Sequence, residues 1–470
     1  MRRIAIIGAG SIVFCKTLML DIMATPELED TEFVLMAPST SKTSQVKAFA
    51  DKVIEKNGLK SKATVTTDRR EALTGADYVI TSFQVGGVSA FGLDYKIPLK
   101  YGVDQCIGDT LGPGGVFRAL RSIPVILDVA RDMEELCPQA ILLNYVNPMA
   151  MICWALGETS IQYVGLCHGV QTTLDLISGY VGVPKQEIDY VTAGINHMGW
   201  FIKLTHQGSD LYPILREKFE QPEYYANEKV RGEVFRHFGY FMTESTGHLS
   251  EYVPWFRKNQ KALDLYCDEP SFGGESGAYY TWCAHVADKY KDQKILEGES
   301  YDLPPRSVEY CAYIIEALET GKTFKFSGNL RNNGMISNLP SECCAEGAVF
   351  ADRTGIHRTI IGDIPPQCAA LNLTNINVQR LAVLAAKSGD PETVVQALAL
   401  DPLTSSVLTL KEIRDMVTEM LNAQRQWLPQ FKDRSPRPTP VIATPANLQR
   451  AEVPIDPALA VFSRLGELAK

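Results

Sequence analysis

Side chains that can bind a metal or carry a proton follow three apolar, β-rich stretches of the chain. They are Asn144 and Asn147 in ILLNYVN, Cys167 and His168 in QYVGLCH, and His197 in YVTAGINH. In an open parallel sheet the carboxyl ends of the strands form the binding crevice, so we expect these three tips to converge. A thiolate and an imidazole in one crevice indicate a metal site. The alternative is that these Cys and His side chains are simply buried, as Cys often is. This alternative stays open because their spacing matches no known zinc motif.

A glycine-rich turn follows the first apolar run. The sequence RRIAIIGAGSIVF places Gly8, Gly10, Ser11 and Ile12 directly after a predicted strand, with Val13 where a third glycine is usual. Two glycines allow a tight turn and close approach of a pyrophosphate, and the following helix directs its first N–H groups at the phosphates. This position predicts a dinucleotide-binding fold and makes these four residues candidate cofactor contacts.

The end of the second predicted strand bears on the choice of cofactor. After TEFVLM, the segment 37–42 (APSTSK) offers no carboxylate for a ribose 2′-hydroxyl. A 2′-phosphate fits there as well as an NAD ribose held by hydroxyls and backbone, so NAD and NADP both stay open. Gln84, after the strand ADYVIT, and Asn144 lie at neighbouring strand ends and are further candidate cofactor contacts.

The glycine-rich turn and the alternating predicted strands and helices after it predict an α/β protein with a Rossmann-like, doubly wound parallel sheet. The elements predicted from about Gly199 onward indicate a second α+β domain covering the crevice, and length and composition agree with both predictions. The 470 residues suit two domains, which we place at 1–198 and 199–470, with a proline-rich tail at 429–456 and a final helix at 457–469. A net charge of −9 without a basic cluster argues against nucleic acid, and the chain has no long apolar run for a membrane. Eleven scattered cysteines and no export signal suggest reduced thiols in the cytoplasm.

Two arginines follow a glycine-rich turn in the middle of the first half. A helix is predicted from about Val116, with Arg118 and Arg121 in its first turns. Cations are unfavourable at that end of the helix dipole, so each arginine serves either a ligand or an ion pair.

Taken together, these motifs resemble a known enzyme family. The segments IGAGSIVF, QCIGDTLGPGGVFRALRSIP, LNYVNPMAM, VGLCHGVQ and AGINHMGW are similar to those of the NAD- and manganese-dependent glycosidases of glycoside hydrolase family 4. Downstream, GYFMTEST, HLSEYVPWF, GNLRNNGMISNLPSECC and TNINVQ resemble its melibiose-type α-galactosidase branch. The resemblance runs from Ile4 to about Leu428.

The resemblance implies a redox-assisted hydrolysis rather than the usual pair of carboxylates. Bound NAD removes hydride from C3 of the sugar, a base takes the acidified C2 proton, and the aglycone leaves C1. Water then adds and hydride returns to C3, so the cofactor is recycled. Mn²⁺ or another divalent metal polarises the sugar oxygens. The substrate is a small-molecule glycoside, and the protein is expected to be a homodimer or homotetramer.

The resemblance also implies roles for individual residues. Cys167 and His197 match the metal ligands, and His168 matches the acid that protonates the leaving oxygen, with orientation of a metal ligand as its alternative role. The predicted substrate contacts are Asn147, Asp109 and, in GNLRNNG, Arg331.

The base at C2 is assigned least directly. Relatives place it close to positions 245–246, which here are serine and threonine and poor bases. Tyr240 and His248 are the preferred candidates, and Glu244 and Tyr252 are the others nearby.

Two functional hypotheses follow. The first is an α-glycosidase, with α-galactosides preferred and α-glucuronides, α-galacturonides or α-glucosides as alternatives. The second is a net NAD(P)-dependent dehydrogenase of a sugar or hydroxy acid, because the glycine turn and a crevice histidine suit that chemistry as well.

Overall fold

The computed structural model describes residues 1–291, 296, 298–454, 456–458 and 465–466. The chain divides into two compact units, Met1–Arg437 and Pro438–Lys470. Residues 438–454 have no regular secondary structure and are exposed. Most of the expected final helix at 457–469 lies outside the described residues.

Six parallel strands form the first half of one sheet. They are β1 Arg3–Ile7, β2 Glu32–Met36, β3 Lys62–Thr66, β4 Tyr78–Thr81, β5 Ile141–Asn144 and β6 Gln162–Leu166. Their order is β3-β2-β1-β4-β5-β6, which is the Rossmann arrangement with its reversal between β1 and β4. The central strands are almost entirely buried because helices cover both faces. The predicted fold class is confirmed.

Seven helices connect and follow these strands. They are α1 Ile12–Met23, α2 Thr40–Asn57, α3 Arg69–Leu73, α4 Gly87–Lys100, α5 Gly112–Leu136, α6 Met149–Leu156 and α7 Gly169–Val181. Helix α5 begins at Gly112, four residues before the predicted start. Proline is well suited to a first helical turn, where its missing N–H costs nothing, so Pro113 can begin the helix.

The strands of the second half continue the same sheet. They are β7 Asp189–Ile195, β8 Met198–His206, β9 Ser209–Asp210, β10 Phe324–Arg331, β11 Cys344–Asp352 and β12 Gly355–Arg358. Beyond β6 the order is β10-β11-β7-β8-β9 with antiparallel pairing, and β12 pairs with β11. One sheet therefore crosses the expected boundary between residues 198 and 199, and the division into two domains stays a prediction.

The remaining helices pack around this extended sheet. They are α8 Tyr212–Phe219, α9 Pro222–Tyr225, α10 Lys229–Phe238, α11 Thr246–Tyr252, α12 Gln260–Tyr266, α13 Ala278–Lys289, α14 Cys311–Thr320, α15 Pro366–Ser388, α16 Pro391–Leu400, α17 Pro402–Val407 and α18 Leu410–Gln424. Within the described ranges, no helix has both the length and the apolar character to cross a bilayer.

Candidate active site

Cys167 and His197 approach each other from different parts of the sheet. Cys167 follows the last residue of β6, and His197 lies in the short turn between β7 and β8. The expectation that all three tips end parallel strands is wrong for His197. Strand β7 is antiparallel to β6, and β10 and β11 lie between them.

A row of four directly paired residues links these strands. Gly165 of β6 pairs with Asn329 of β10, which pairs with Glu346 of β11, which pairs with Gly194 of β7. In a flat sheet, three strand spacings of about 4.8 Å would put β6 and β7 about 14 Å apart. The Cys167 Sγ and His197 Nε2 atoms, which both lie beyond the ends of their strands, are nevertheless only 3.7 Å apart.

The His197 imidazole is held in a fixed orientation. Its backbone has φ 63°, a left-handed conformation that residues other than glycine rarely adopt and that is often found at functional sites. The hydroxyl of Thr110 lies 3.2 Å from Nδ1, and the Tyr252 hydroxyl donates to Thr110 at 2.9 Å. With Nδ1 bonded to Thr110, Nε2 faces the sulfur and is the atom available to a metal.

Glu244 joins this pair. Ligand atoms of Cys167, His197 and Glu244 all lie within 4.8 Å of one another. The His248 ring lies 3.9 Å from the His197 ring, centroid to centroid, and its Nε2 is 3.7 Å from a Glu244 carboxylate oxygen. The site therefore combines a thiol, two imidazoles and a carboxylate in one group, in which His197 and Glu244 are buried and Cys167 and His248 are half-buried.

The donor set fits a divalent metal. Burial raises the pKa of the Cys167 thiol well above its usual value, and the nearby carboxylates of Glu244 and Glu346 add to this shift. Burial, followed by the neighbouring His248 and His168, lowers the pKa of His197 well below its usual value. A neutral imidazole is ready to bind a metal, and a bound cation would favour the thiolate. A sulfur, an imidazole nitrogen and a carboxylate oxygen suit manganese or a similar ion.

His168 lies beside this group at the start of α7. Its Nδ1 atom is 3.3 Å from a Glu309 carboxylate oxygen, and its side chain is 56% exposed. The hydrogen bond to Glu309 raises the pKa of His168 above its ordinary value, against the opposing effect of burial. The imidazole therefore keeps a proton at higher pH and can offer it to a ligand in the crevice.

Polar side chains from the segment after β5 and from α5 converge on Asp109, which lies in the loop before α5. Asn147 Nδ2 donates to Asp109 Oδ2 at 3.0 Å, and Arg118 Nη1 lies 3.5 Å from the same oxygen. In the described part of the chain, Asp109 Oδ1 and Arg118 Nε and Nη1 are buried without a hydrogen-bond partner. Buried polar atoms are normally paired, so these atoms suit the hydroxyls of a bound ligand.

Arg121, one turn along α5, is used differently. It forms a buried ion pair with Asp94, at 2.6 Å from Nη2 to Oδ2, and also contacts the Gln424 side chain. Arg121 therefore serves an ion pair, which is one of the two roles expected for these arginines. Arg118 has donor nitrogens without a hydrogen-bond partner among the described residues, which suits the other role, binding of a ligand.

The candidates for a base have separate surroundings. Tyr240 packs against the Tyr212 ring at 5.7 Å in an aromatic cluster, whereas the Tyr252 hydroxyl is bonded to Thr110. Ser245 accepts from the backbone of His248 at the start of α11, and Thr246 donates to Glu228. Of the two preferred candidates, the structure brings His248 into the group around Cys167 and leaves Tyr240 in the aromatic cluster.

Arg331 lies away from the crevice edge. Gly328 of β10 pairs with Leu166, and β10 runs antiparallel to β6, so Arg331 is near Tyr163 towards the start of β6. Its Nη1 donates to the carbonyl of Gly157 at 3.0 Å. The structure does not bring Arg331 to the group around Cys167, and its contact with substrate stays a prediction.

The turn between β1 and α1 has the geometry for a pyrophosphate. Gly8 has φ 97°, and a Cβ there would lie 2.2 Å from the Ser82 carbonyl oxygen, so both its conformation and its space require glycine. A Cβ at Gly10 would meet nothing closer than 3.9 Å. Space at Gly10 is therefore not needed for packing and suits the approach of a ligand to the open start of α1. The Ser11 side chain does not cap the helix, whose first residue is Ile12.

The other predicted cofactor contacts are partly engaged within the chain. The Asn144 amide is fully buried, accepts from Thr81 and from the backbone of Val146, and shapes the turn after β5. Gln84 Nε2 donates to the Gly87 carbonyl at 3.3 Å. Ser39 caps α2 after the second strand, where no carboxylate is present, so the choice between NAD and NADP stays open.

Three residues with a clear place in the site were not identified from the sequence. Glu309 accompanies His168, Thr110 orients His197, and Glu346 lies in the row that joins β6 to β7. Thr110 directly follows Asp109 and was therefore within reach of sequence reasoning. Glu309 lies more than a hundred residues from His168, and Glu346 lies equally far from Cys167 and His197, so nothing in their local sequence marks them.

The sequence matches two family descriptions, "Family 4 glycosyl hydrolase" over residues 3–183 and "Family 4 glycosyl hydrolase C-terminal domain" over residues 192–404. It is 42% identical to an α-galactosidase of Rhizobium meliloti (strain 1021), covering 91% of this chain and 89% of the relative. It is 39% identical to an α-galactosidase of Bacillus subtilis (strain 168), covering 92% and 100%. The 6-phospho-β-glucosidase of Thermotoga maritima, solved with manganese, NAD⁺ and glucose-6-phosphate, has the same fold at TM-score 0.74 and 21% identity, covering 90% and 99%.

Proposed function

Because the chain belongs to family 4 of the glycosyl hydrolases, we propose that it is an NAD- and metal-dependent α-galactosidase. The observation that carries the proposal is the 3.7 Å approach of Cys167 Sγ to His197 Nε2. Both residues match family metal-ligand positions, and the two relatives of 42% and 39% identity are α-galactosidases. When bound, NAD accepts and returns the C3 hydride while the metal polarises the sugar oxygens.

The chain's own residues divide the remaining work. Cys167 and His197 hold the metal, and His168 gives its proton to the leaving oxygen. The raised pKa of His168 supports this role, because the imidazole must be protonated when the bond breaks. Asp109 and Arg118 bind the sugar hydroxyls through buried polar atoms that have no hydrogen-bond partner among the described residues, and Asn147, which donates to Asp109, completes this sugar site.

His248 is the proposed base at C2. It packs against the His197 ring, and its buried Nδ1 has no hydrogen-bond partner among the described residues. An imidazole nitrogen without a hydrogen-bond partner can accept a proton, whereas the hydroxyls of the neighbouring serine and threonine are poor bases.

The charge of the substrate pocket favours a neutral sugar. The Arg118 guanidinium is already 3.5 Å from Asp109, and Glu244 adds a second carboxylate beside Cys167. A uronate would bring a further negative charge next to these groups, whereas galactose hydroxyls can bond to both members of the Asp109–Arg118 pair. We therefore place α-galacturonides and α-glucuronides behind α-galactosides.

A turnover assay tests the function. The purified protein is incubated with Mn²⁺, a catalytic amount of NAD and the p-nitrophenyl α-glycosides of galactose, glucose, glucuronic acid and galacturonic acid. Nitrophenolate release from the galactoside without net NADH is expected. Net NADH formation from free sugars, with no nitrophenolate, would instead identify a dehydrogenase.

We further propose a homodimer or homotetramer in the cytoplasm. All eleven cysteines are free thiols in the structure, which is compatible with a reducing compartment. Light scattering of the full chain, and of a chain ending at Arg437, measures the oligomeric state and the contribution of the second compact unit to it.

A further inference from the structure

We propose that Glu244 is a third protein ligand of the metal and that Gly169 is glycine in order to admit its carboxylate. This inference rests on the proposed function, since it concerns the same metal. It adds a ligand from a segment outside the Cys-His and Asn-His motifs. It also gives a reason for the residue that follows Cys167-His168.

The backbone around Glu244 is fixed from two sides. The Thr243 N–H donates to the Gly199 carbonyl of β8 at 3.0 Å, and the Thr243 carbonyl accepts from the Thr173 hydroxyl of α7 at 2.9 Å. Glu244 is only 9% exposed, so its side chain is held inside the molecule. Its carboxylate lies within 4.8 Å of the Cys167 and His197 ligand atoms.

Gly169 is shaped to this carboxylate. A Cβ at Gly169 would lie 1.7 Å from Glu244 Oε1 and 3.1 Å from the Thr243 carbonyl oxygen. The backbone of Gly169 is not left-handed, so other residues could adopt it without strain. Space for the Glu244 carboxylate is therefore the reason that the structure gives for glycine at this position.

The charge of Glu244 needs a partner. The imidazole of His248 is the only partner of the ion-pair type beside Glu244 among the described residues, and its Nε2 is 3.7 Å from the carboxylate, which is too long for a hydrogen bond. Burying a carboxylate without a close counter-charge is costly. An ion shared with Cys167 and His197 would supply that charge, and a carboxylate oxygen shifts a sulfur–imidazole pair towards the preferences of Mn²⁺.

Metal binding to the metal-free protein tests the proposal without relying on activity. Titration with Mn²⁺, followed by the electron paramagnetic resonance signal of the free ion, gives the dissociation constant for the wild type, E244Q, E244A, G169A and the double variant G169A/E244A. Outer-shell changes at metal sites weaken binding by about 10–100-fold, so loss of a direct ligand should weaken it at least about tenfold. We expect that loss for E244Q and E244A.

The glycine is tested by the double variant. G169A should weaken Mn²⁺ binding by displacing the carboxylate, and it should have no further effect once E244A has removed that carboxylate. G179A is the matched control, because Gly179 lies in the same helix and a Cβ there meets nothing within 4 Å. NAD binding, followed by fluorescence, reports whether each variant is folded.

The possible outcomes distinguish a failure of this inference from a failure of the proposed function. If E244Q binds Mn²⁺ as tightly as the wild type while C167S does not, Glu244 is not a ligand and the proposed function stands. If C167S also binds Mn²⁺ normally, the proposed metal site itself is wrong. Additive losses in G169A and E244A would show that the glycine serves some purpose other than admitting the carboxylate.

Discussion

The proposed nucleotide-binding turn and the proposed metal-binding group are built in opposite ways. The turn is one short segment, residues 7–12, in which the backbone conformation and the lack of side chains at the glycines leave space for a ligand at the start of α1. The metal group takes its side chains from the end of β6, the β7–β8 turn and the segment before α11. The turn therefore depends on a local stretch of sequence, whereas the group around Cys167 depends on the order of strands that lie far apart in sequence. Substitutions in the two regions should have separable effects.

The largest separation is expected for C167S. Removal of the thiolate should abolish Mn²⁺ binding and lower turnover about a thousandfold, because Lewis-acid stabilisation is worth several kcal/mol. NAD affinity should stay within about twofold, since the β1–α1 turn is untouched. Turnover, Mn²⁺ titration and NAD fluorescence measure these effects. The control is C137S, a buried cysteine at the end of α5, which should bind Mn²⁺ normally.

A smaller and substrate-dependent loss is expected for H168N. General acid catalysis contributes about a hundredfold or more when the leaving group is poor. H168N should therefore lower kcat on a disaccharide such as melibiose by about that factor and should affect p-nitrophenyl α-galactoside much less. H237N is the matched control, because His237 also lies beside a glutamate, with Nε2 3.0 Å from Glu233, but is exposed on α10. Equal losses on both substrates would remove the acid role.

The nucleotide turn is tested by G10A. A methyl group at Gly10 meets no protein atom within 3.9 Å, so the melting temperature should hardly change. NAD binding should nevertheless weaken by about tenfold or more, because the methyl group occupies the space through which the pyrophosphate approaches. Mn²⁺ binding should be unchanged, the reverse of C167S. G8A should instead destabilise the fold, because its Cβ would collide with the Ser82 carbonyl. Normal NAD affinity in a folded G10A protein would contradict the proposed turn.

Two arginines of one helix sharpen the same contrast. R118K should raise KM about tenfold with little change in melting temperature, since Arg118 has unpaired donors near Asp109 and a charged hydrogen bond to a ligand is worth about 1.5–3 kcal/mol. R121K should lower the melting temperature and leave KM of the folded protein near its normal value, because its donors hold Asp94 and Gln424. The opposite pattern would show that the sugar pocket lies elsewhere along α5.

The contrast explains what the sequence could predict. The β1 turn, the parallel strands and the family motifs are local patterns, and the Rossmann order and the Cys167 and His197 candidates followed from them. The expectation that Cys167 and His197 both follow parallel strands is wrong for His197, because β10 and β11 enter the sheet between β6 and β7 and make β7 antiparallel to β6. Strand insertion from residues 324–352 leaves no mark near either motif, so it cannot be read from their spacing.

The same limit applies to individual side chains. Glu244 was one of several polar residues near a motif, and only its placement over Gly169 separates it from Tyr240, which packs on Tyr212. Arg331 lies in a polar turn motif that looks suited to substrate, yet the direction of β10 carries it away from the crevice edge. The position of each side chain in the folded structure, rather than its residue type, decides whether it reaches the site.

The smallest effect on Mn²⁺ and NAD binding is expected at a position that lies outside both regions and acts on stability instead. Asp401 is fully buried, accepts from Thr404 and faces the backbone of Gly112, where α5 begins. Burial raises the pKa of Asp401 from 3.8 to about 6. The folded state therefore holds this proton more tightly than the unfolded state, so its contribution to stability is full below pH 3.8 and is lost as the pH rises through about 6. The loss at pH 7 is about 3 kcal/mol.

The variant D401N keeps a capping oxygen but cannot ionise. It should therefore flatten the pH dependence of the unfolding free energy between pH 4 and 7, as measured by urea denaturation. An unchanged pH dependence in D401N would show that other groups set it. Mn²⁺ and NAD affinities at pH 7 should not change, because neither region includes Asp401.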